Sequence, residues 1–219
     1  YMKNLCDEGY RERYGDDDQY RYQLQYEQDM IEQEISLENG SKGLRFDTRV
    51  DWREDHKFLR TAFETAYTHV RDGIFDIQYG YLARPAYVNT SWDAARFETS
   101  AHRFADLSDQ ESGVALLNDC KYGYYVREGV LDLALLRSPR TPDHLADKGE
   151  QIFTYLFLPH TGALAESEVQ DRAAELNRPP LVFDGLSGSL PVPFRLAGDG
   201  VTLGAVKRAE KSEDLVIRL

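Results

Sequence analysis

The segment Leu44–Trp52 places apolar and charged residues at alternating positions along nine residues. Successive side chains of a β-strand point to opposite faces, so a period of two predicts a strand with one face on a core and the other in water. The core-facing set is Leu44, Phe46, Thr48, Val50 and Trp52. A strand of this kind needs neighbouring strands and a second layer to cover its apolar face, which limits the chain to folds built on sheets.

Other short segments carry the same alternation, or apolar runs bounded by turn residues. These segments predict strands at residues 20–26, 31–37, 74–79, 114–117, 122–126, 130–137, 152–158, 201–207 and 215–219. Turns are predicted at Asn39-Gly40, Asp72-Gly73, Glu128-Gly129 and 212–214, and Pro159 is predicted to end the strand before it.

Three further segments bear on the fold class. Residues 58–70 fit a helical spacing or a strand, and we favour strands because the surroundings are rich in strand signals. Residues 138–149 are predicted to form a long polar loop. Residues 166–176 are predicted to form the one convincing helix, with Val169, Ala173 and Leu176 on one face. Many short strands without a strand–helix–strand rhythm indicate an all-β sandwich.

Composition excludes several classes of protein. At 219 residues, with 42% hydrophobic and 12% aromatic residues, the chain is not a disordered segment. A net charge of -12 argues against nucleic acid as a partner, and no run approaches the ~20 apolar residues of a membrane span. Only Cys6 and Cys120 occur, which favours a reducing compartment, and Cys120 is predicted to be a buried small hydrophobe. The abrupt start and end lead us to expect a fragment of a longer protein.

Residues 89–125 hold Trp92 and carry charged residues singly between aromatic ones. This pattern is typical of a carbohydrate site or of the rim of a core, and the residues alone slightly favour the core rim. Retaining glycoside hydrolysis needs two carboxylates about 5 Å apart. The stretch supplies four candidates, Asp93, Glu98, Asp106 and Asp119. Their spacing in the sequence does not show whether they converge.

The remaining signals for a site are weak. The five histidines lack the spacing of a zinc pair, which predicts ordinary structural or surface residues: His56, His69, His102, His144 and His160. The acidic run at 16–18 lacks the alternating ligands of a calcium loop and predicts a solvated loop. The glycosylation sequon at Asn89 is interpreted as a coincidence, since this sequence shows no secretory signal.

A series of longer motifs follows one order along the chain. They are DWREDHK at 51–57, IQYG at 77–80, RP at 84–85, NTSWD at 89–93, ARFE at 95–98, ALLNDCKYGY at 115–124, LLRSP at 135–139, FTY at 153–155, LPH at 158–160 and AVKRAE at 205–210. From about Ile31 onward the chain resembles the C-terminal region of glycoside hydrolase family 38 α-mannosidases, in their cytosolic and bacterial branch. It departs from the family pattern at Ala86-Tyr87 and at Ala94, which puts the preferred linkage in question.

The resemblance implies a retaining α-mannosidase that works through a covalent glycosyl-enzyme with a divalent metal, usually zinc. The nucleophile and the zinc ligands would lie on an N-terminal barrel outside this chain, so the isolated chain is expected to be inactive. Residues 1–188 would form a large β supersandwich similar to galactose mutarotase, and residues 189–219 the first hairpin of a small β domain. The expected partners are that catalytic barrel and mannosides, in a cytoplasmic protein that can also form a homo-oligomer.

The resemblance also implies that the β region lends side chains to the edge of the mannose site. By motif, this role falls on Arg137 and the loop after it, with Asp143, Asp147 and Gly149. Weaker candidates for the same edge are Asn118, Asp119 and Tyr122. Two alternatives stay open: a free-standing carbohydrate-binding module, and a mutarotase-like epimerase, which would need a histidine and a carboxylate in one cleft.

Overall fold

The computed structural model describes residues 30–182, 184–185, 195–198 and 200–219. The predicted strand at 20–26, the acidic run at 16–18 and Cys6 lie outside these residues. The predicted domain boundary between residues 188 and 189 lies outside them too, and the two-domain interpretation stays a prediction. By their internal contacts the residues group into two units, one up to Pro180 and one from Leu181 onward.

The described residues of the first unit lie mainly in antiparallel strands. Its strands are β1 Met30–Ser36, β2 Leu44–Trp52, β3 Leu59–Glu64, β4 Asp72–Ile77, β5 Gly80–Pro85, β6 Thr99–Ser100, β7 Phe104–Ser108, β8 Ser112–Asn118, β9 Gly123–Arg127, β10 Val130–Leu136 and β11 Gly149–Thr161. They form a seven-stranded sheet, ordered β1-β2-β11-β8-β7-β4-β5, and a four-stranded sheet, ordered β3-β10-β9-β6. Among the described residues of this unit there are two α-helices, α1 Ser91–Ala95 between β5 and β6 and α2 Val169–Asn177 after β11, and a short 3-10 helix at Leu164–Glu166. The predicted all-β class is confirmed.

The core lies between the two sheets. Strand β2 of the larger sheet turns Val50 and Trp52 inward, as the alternation predicts. Strand β10 of the smaller sheet contributes Leu131 and Leu133 to the same core, and neither has exposed surface. Burial of apolar side chains on both inner faces is the main stabilisation of a sandwich.

Helix α2 covers the other face of the seven-stranded sheet. Val169 and Ala173 on its inner side are fully buried, and Leu176 packs against the same cluster. Opposite them, β8 contributes Ala115 and Leu117, so this strand is covered on both faces. The predicted helix is therefore confirmed, and its predicted apolar face is the face that packs on the sheet.

Two predictions at strand ends are wrong. Asp72-Gly73 is the beginning of β4, not a hairpin turn, and Gly73 pairs with Arg84. Pro159 does not end its strand, because β11 continues to Thr161 and Pro159 pairs with Val114. The partner strand β2 ends opposite Phe157, so the missing N–H of the proline costs no ladder hydrogen bond on that side.

The remaining local predictions are mostly confirmed. Residues 59–64 of the ambiguous segment form strand β3, and the turns at Asn39-Gly40 and Glu128-Gly129 are present. The sequence did not predict β5, β6, β7 or α1. In the second unit, β12 Ala205–Arg208 pairs with β13 Leu215–Arg218 as an antiparallel hairpin.

Candidate functional site

A polar groove of about 500 Å³ lies at the smaller sheet, where β10 ends and β9 and β6 begin. We call it the outer groove. The polar and charged residues among those that line it are Glu98, Thr99, Ser100, Cys120, Lys121, Tyr122, Arg137 and Asp147. The strands contribute small side chains here: a Cβ added to Gly123 would lie 3.0 Å from the Cβ of Ala134. Small residues on the sheet and long polar ones around it leave space for a hydroxyl-rich ligand.

Arg137 follows the last residue of β10 and is exposed. Its backbone N–H donates to Asp147 Oδ2 at 2.8 Å, which joins the start of the loop to its end. Its guanidinium lies 5.8 Å from the centre of the Phe58 ring. Within the described part of the chain the guanidinium has no carboxylate partner, and Arg137 is one of the residues that line the groove.

The loop after Arg137 is tied to the segment that follows β2. The indole Nε1–H of Trp52 donates to Ser138 Oγ, and the backbone N–H of His56 donates to Ser138 O at 3.0 Å. Asp55 forms ion pairs with Arg140 at 2.5 Å and with Lys148 at 2.6 Å. The hydrogen bonds from Arg140 and then Lys148 lower the pKa of Asp55 to about 2.

A partly buried charge cluster adjoins the outer groove. The Nε of Arg60 lies 2.7 Å from Asp132 Oδ1, and its Nη1 contacts Glu98 Oε1. Burial raises the pKa of Asp132, while the Arg60 guanidinium acts in the opposite direction. The same guanidinium lies 4.6 Å from the centre of the Phe58 ring, so Phe58 has two arginines within cation–π distance, Arg60 of β3 and Arg137 just after β10.

The structure places three of the seven predicted edge residues together, while Gly149 is the first residue of β11 and is not among those that line the groove. Arg137, Tyr122 and Asp147 all line the outer groove. Asp143 is exposed on the loop, where its Oδ1 accepts from the N–H of Leu145, and it is not among the residues that line the groove.

Asn118 and Asp119 are not among the residues that line the groove. Asn118 has no exposed surface, and its amide donates to the hydroxyl of Tyr124 and to His102 O. Asp119 is half-buried and accepts from the backbone N–H of Thr154 at 3.0 Å. Both side chains therefore make their contacts within the fold.

Cys120 differs from its prediction in exposure. The residue is exposed at the groove and is not a buried hydrophobe. Partial burial of the thiol, together with the neighbouring Asp119 carboxylate, raises the pKa of Cys120 to about 11. The thiol is thus protonated near neutral pH and a poor nucleophile, as the sequence interpretation held.

The four candidate carboxylates of residues 89–125 do not converge on one site. Asp93 caps α1, accepting from the N–H and the hydroxyl of Thr90. Asp106 is buried against His160, Asp119 binds the backbone of β11, and only Glu98 lines the groove. Their separate structural roles remove the pair that a retaining site would need within this stretch.

Two histidine–carboxylate pairs occur in the described residues, and neither lies in a cleft. His160 and Asp106 are buried, and His69 and Asp109 form an exposed pair at 3.1 Å. The epimerase alternative required such a pair in an open cleft.

The described residues also contain no group of three His, Cys, Asp or Glu side chains that could hold a metal ion. Nor does any helix among them combine the length and apolar character needed to cross a membrane.

Sequence reasoning missed two residues next to the groove, Phe58 and Arg60. A signal existed, because residues two apart on a strand share a face. The contact with Arg137 depends on the pairing of β3 with β10, which the sequence does not specify.

The fold and the groove define an antiparallel β-sandwich domain with a polar surface groove. The chain belongs to the family of the glycosyl hydrolases family 38 C-terminal domain, whose family model matches residues 17–145. The predicted family is confirmed.

Relatives with this domain include Alpha-mannosidase 2C1 from Homo sapiens, 44% identical over 198 residues, which cover 86% of this chain and 19% of the relative. Alpha-mannosidase G from Dictyostelium discoideum is 37% identical over 202 residues, covering 86% of this chain and 18% of the relative. The crystal structure of an alpha-mannosidase from Enterococcus faecalis V583 matches the fold with a TM-score of 0.69 at 22% identity, over 85% of this chain and 23% of that one. The chain thus spans about a fifth of the length of these curated relatives.

Proposed function

We propose that this chain is the non-catalytic β region of a retaining α-mannosidase, and that its outer groove forms one edge of the mannoside site. The catalytic residues and the metal, zinc by resemblance, would belong to the rest of the polypeptide, since no described group of side chains here suits a metal. When bound there, zinc would supply electrophilic activation of sugar oxygens. The isolated chain would then bind no metal and hydrolyse nothing.

One observation supports the role of the groove: the Arg137 guanidinium at its mouth has no carboxylate partner among the described residues. Most cations near the groove are engaged: Arg60 binds Asp132 and Glu98, while Arg140 and Lys148 bind Asp55. The backbone of Arg137 is nevertheless fixed by Asp147. A positioned guanidinium without an internal carboxylate has donors free for two adjacent sugar hydroxyls or for a carboxylate of the catalytic part.

The test uses the polypeptide that carries this chain together with its catalytic part, assayed on 4-nitrophenyl α-mannoside. Arg137→Ala should lower kcat/KM about 10- to 100-fold, the loss of a charged hydrogen bond at the site. Arg71→Ala is the matched control, because Arg71 is exposed just before β4 and lies outside the groove lining. Equal activity of the two variants would remove Arg137 from the site.

Two further measurements separate the competing functions. Loss of hydrolysis on chelation would support a metal-dependent mannosidase, whereas metal-independent hydrolysis of another sugar would overturn the proposal. Calorimetric binding of mannose by the 219-residue chain alone would instead favour a free-standing carbohydrate-binding module. The same proposal includes a cytoplasmic location, small manno-oligosaccharides as substrates and assembly into a homo-oligomer. Cell fractionation tests the location, and light scattering tests the assembly.

A further inference from the structure

Strand β10 contains an irregularity just before Arg137. Ala134 pairs with Arg60, but the next pair along β3 is Leu136 with Leu59, so Leu135 is an extra residue in β10. Such a β-bulge opposes two residues of one strand to one of its partner and changes which face the following side chains occupy.

The burial of the side chains shows this change of face. Before the bulge, Leu131 and Leu133 point into the core while Asp132 and Ala134 face outward. After it, Leu135 and Leu136 are both buried, although they are consecutive. An unbroken alternation would turn Leu136 outward and Arg137 toward the core.

The bulge therefore brings Arg137 to the outer face of the smaller sheet. Extending the Leu136–Leu59 pairing by one residue sets Arg137 opposite Phe58, and opposed residues of antiparallel strands share a face. The observed distance of 5.8 Å between the Arg137 guanidinium carbon and the Phe58 ring centre agrees with this register.

The Phe58 ring is itself held in place. Its side chain is 38% exposed, so packing against the core alone does not fix the ring. The Arg60 guanidinium lies 4.6 Å from the ring centre and is fixed by Asp132 and Glu98. Arg60 is only 17% exposed and thus forms a firm support for the ring.

We infer that Phe58 is a positioning residue for Arg137, holding the guanidinium over its ring so that the N–H donors point into the outer groove. The ring attracts the cation without using its N–H groups, which a carboxylate partner would occupy. This inference rests on the proposed function of the groove. It adds that the site depends on an aromatic side chain which need not touch the sugar.

The experiment is a double-mutant cycle in the polypeptide that contains the catalytic part. Phe58→Leu should lower kcat/KM about two- to five-fold, the range of an exposed cation–π contact. Phe58→Tyr retains the face of the aromatic ring, so its kcat/KM should equal that of the wild type. Phe97→Leu is the matched control, since Phe97 is an exposed phenylalanine outside the groove lining, and it should leave kcat/KM unchanged.

The decisive outcome is the behaviour in the Arg137→Ala background. If Phe58 acts through Arg137, adding Phe58→Leu to Arg137→Ala should not lower kcat/KM further. The coupling energy between the two positions would then equal the effect of Phe58→Leu alone. A further two- to five-fold loss in that background would overturn the inference. It would leave the proposed function standing.

A readout without activity separates the two proposals. Modification of Arg137 by phenylglyoxal, followed by mass spectrometry, should become two-fold or more faster in Phe58→Leu, while the rate at Arg71 should not change. An unchanged rate at Arg137 would overturn the positioning role. Full activity of Arg137→Ala, by contrast, would overturn the role of the groove while the modification rates still decide the contact with Phe58.

Discussion

His160 Nε2 lies 2.8 Å from Asp106 Oδ2, although the two residues belong to strands that are not neighbours. Strand β8 separates β11 from β7, and its Gly113 pairs with His160 on one side and with Ser108 on the other. Because Gly113 has no side chain, the imidazole can reach across β8 to the carboxylate, which also accepts from the Ser108 hydroxyl. The pair is a support of the seven-stranded sheet.

The first prediction concerns this pair. His160→Ala leaves the Asp106 carboxylate buried without its main partner, so the free energy of unfolding should fall by about 3–5 kcal/mol. Urea unfolding measures the loss. His144→Ala, an exposed histidine on the loop after β10, should change the value by less than about 0.5 kcal/mol. Similar losses for both variants would show that the pair adds nothing to stability.

The second prediction concerns the glycine between the two strands. A Cβ added to Gly113 would lie 2.5 Å from His160 Nε2 and 2.4 Å from Ser108 Cβ. Gly113→Ala should therefore destabilise the fold by about 1–3 kcal/mol through overpacking. Gly80→Ala on the edge strand β5 is the control, because its added Cβ would meet no atom within 4 Å. A thermal shift equal in the two variants would contradict the crowding at Gly113.

Gly73 illustrates which parts of this fold the sequence could not predict. An Asp-Gly pair is a turn signal, yet a Cβ at Gly73 would lie 2.9 Å from Val126 Cγ1 of the opposite sheet. The glycine makes room between the sheets, and only the tertiary contact shows this. By contrast, the β9–β10 hairpin around Glu128-Gly129 was predicted correctly, because its turn and its flanking strands are local signals.

The candidate site was predictable to a similar, limited degree. Motif resemblance pointed to Arg137, Tyr122 and Asp147, which do share the outer groove. The neighbouring Phe58 was not predicted, because its contact with Arg137 depends on one extra residue in β10. A bulge moves a side chain to the other face without leaving a composition signal.

The third prediction concerns the start of the loop after Arg137. Ser138 is fully buried at φ +47° and accepts from the indole N–H of Trp52. Ser138→Ala leaves that N–H without an acceptor and should cost about 1–3 kcal/mol in the free energy of unfolding.

Two comparisons separate the hydrogen bond from the backbone strain at this position. Ser138→Gly loses the same acceptor but suits the positive φ, so it should be less destabilising than Ser138→Ala. In the Trp52→Phe background, Ser138→Ala should cost less than in the wild type, because the donor is already absent. Equal costs in both backgrounds would mean that the indole does not depend on Ser138.

The fourth prediction concerns the pH dependence of the same loop. The ion pairs of Asp55 with Arg140 and Lys148 lower the pKa of Asp55 from 3.8 to about 2 in the folded state. A carboxyl with a lowered pKa stabilises the fold above its unfolded value, and that contribution is lost as the pH falls through the folded value. The stability difference between wild type and Asp55→Asn should thus be full above about pH 4 and vanish near pH 2.

Urea unfolding at pH 6, 4, 3 and 2 measures this difference, and hydrogen exchange of residues 138–149 locates it in the loop. Asp72→Asn is the control, because Asp72 is exposed at the start of β4, away from this loop. If the Asp55 difference were independent of pH over this range, the ion pairs would not hold the loop. Since the same loop fixes the backbone of Arg137 through Asp147, faster exchange in Asp55→Asn should be accompanied by a higher KM for the mannoside.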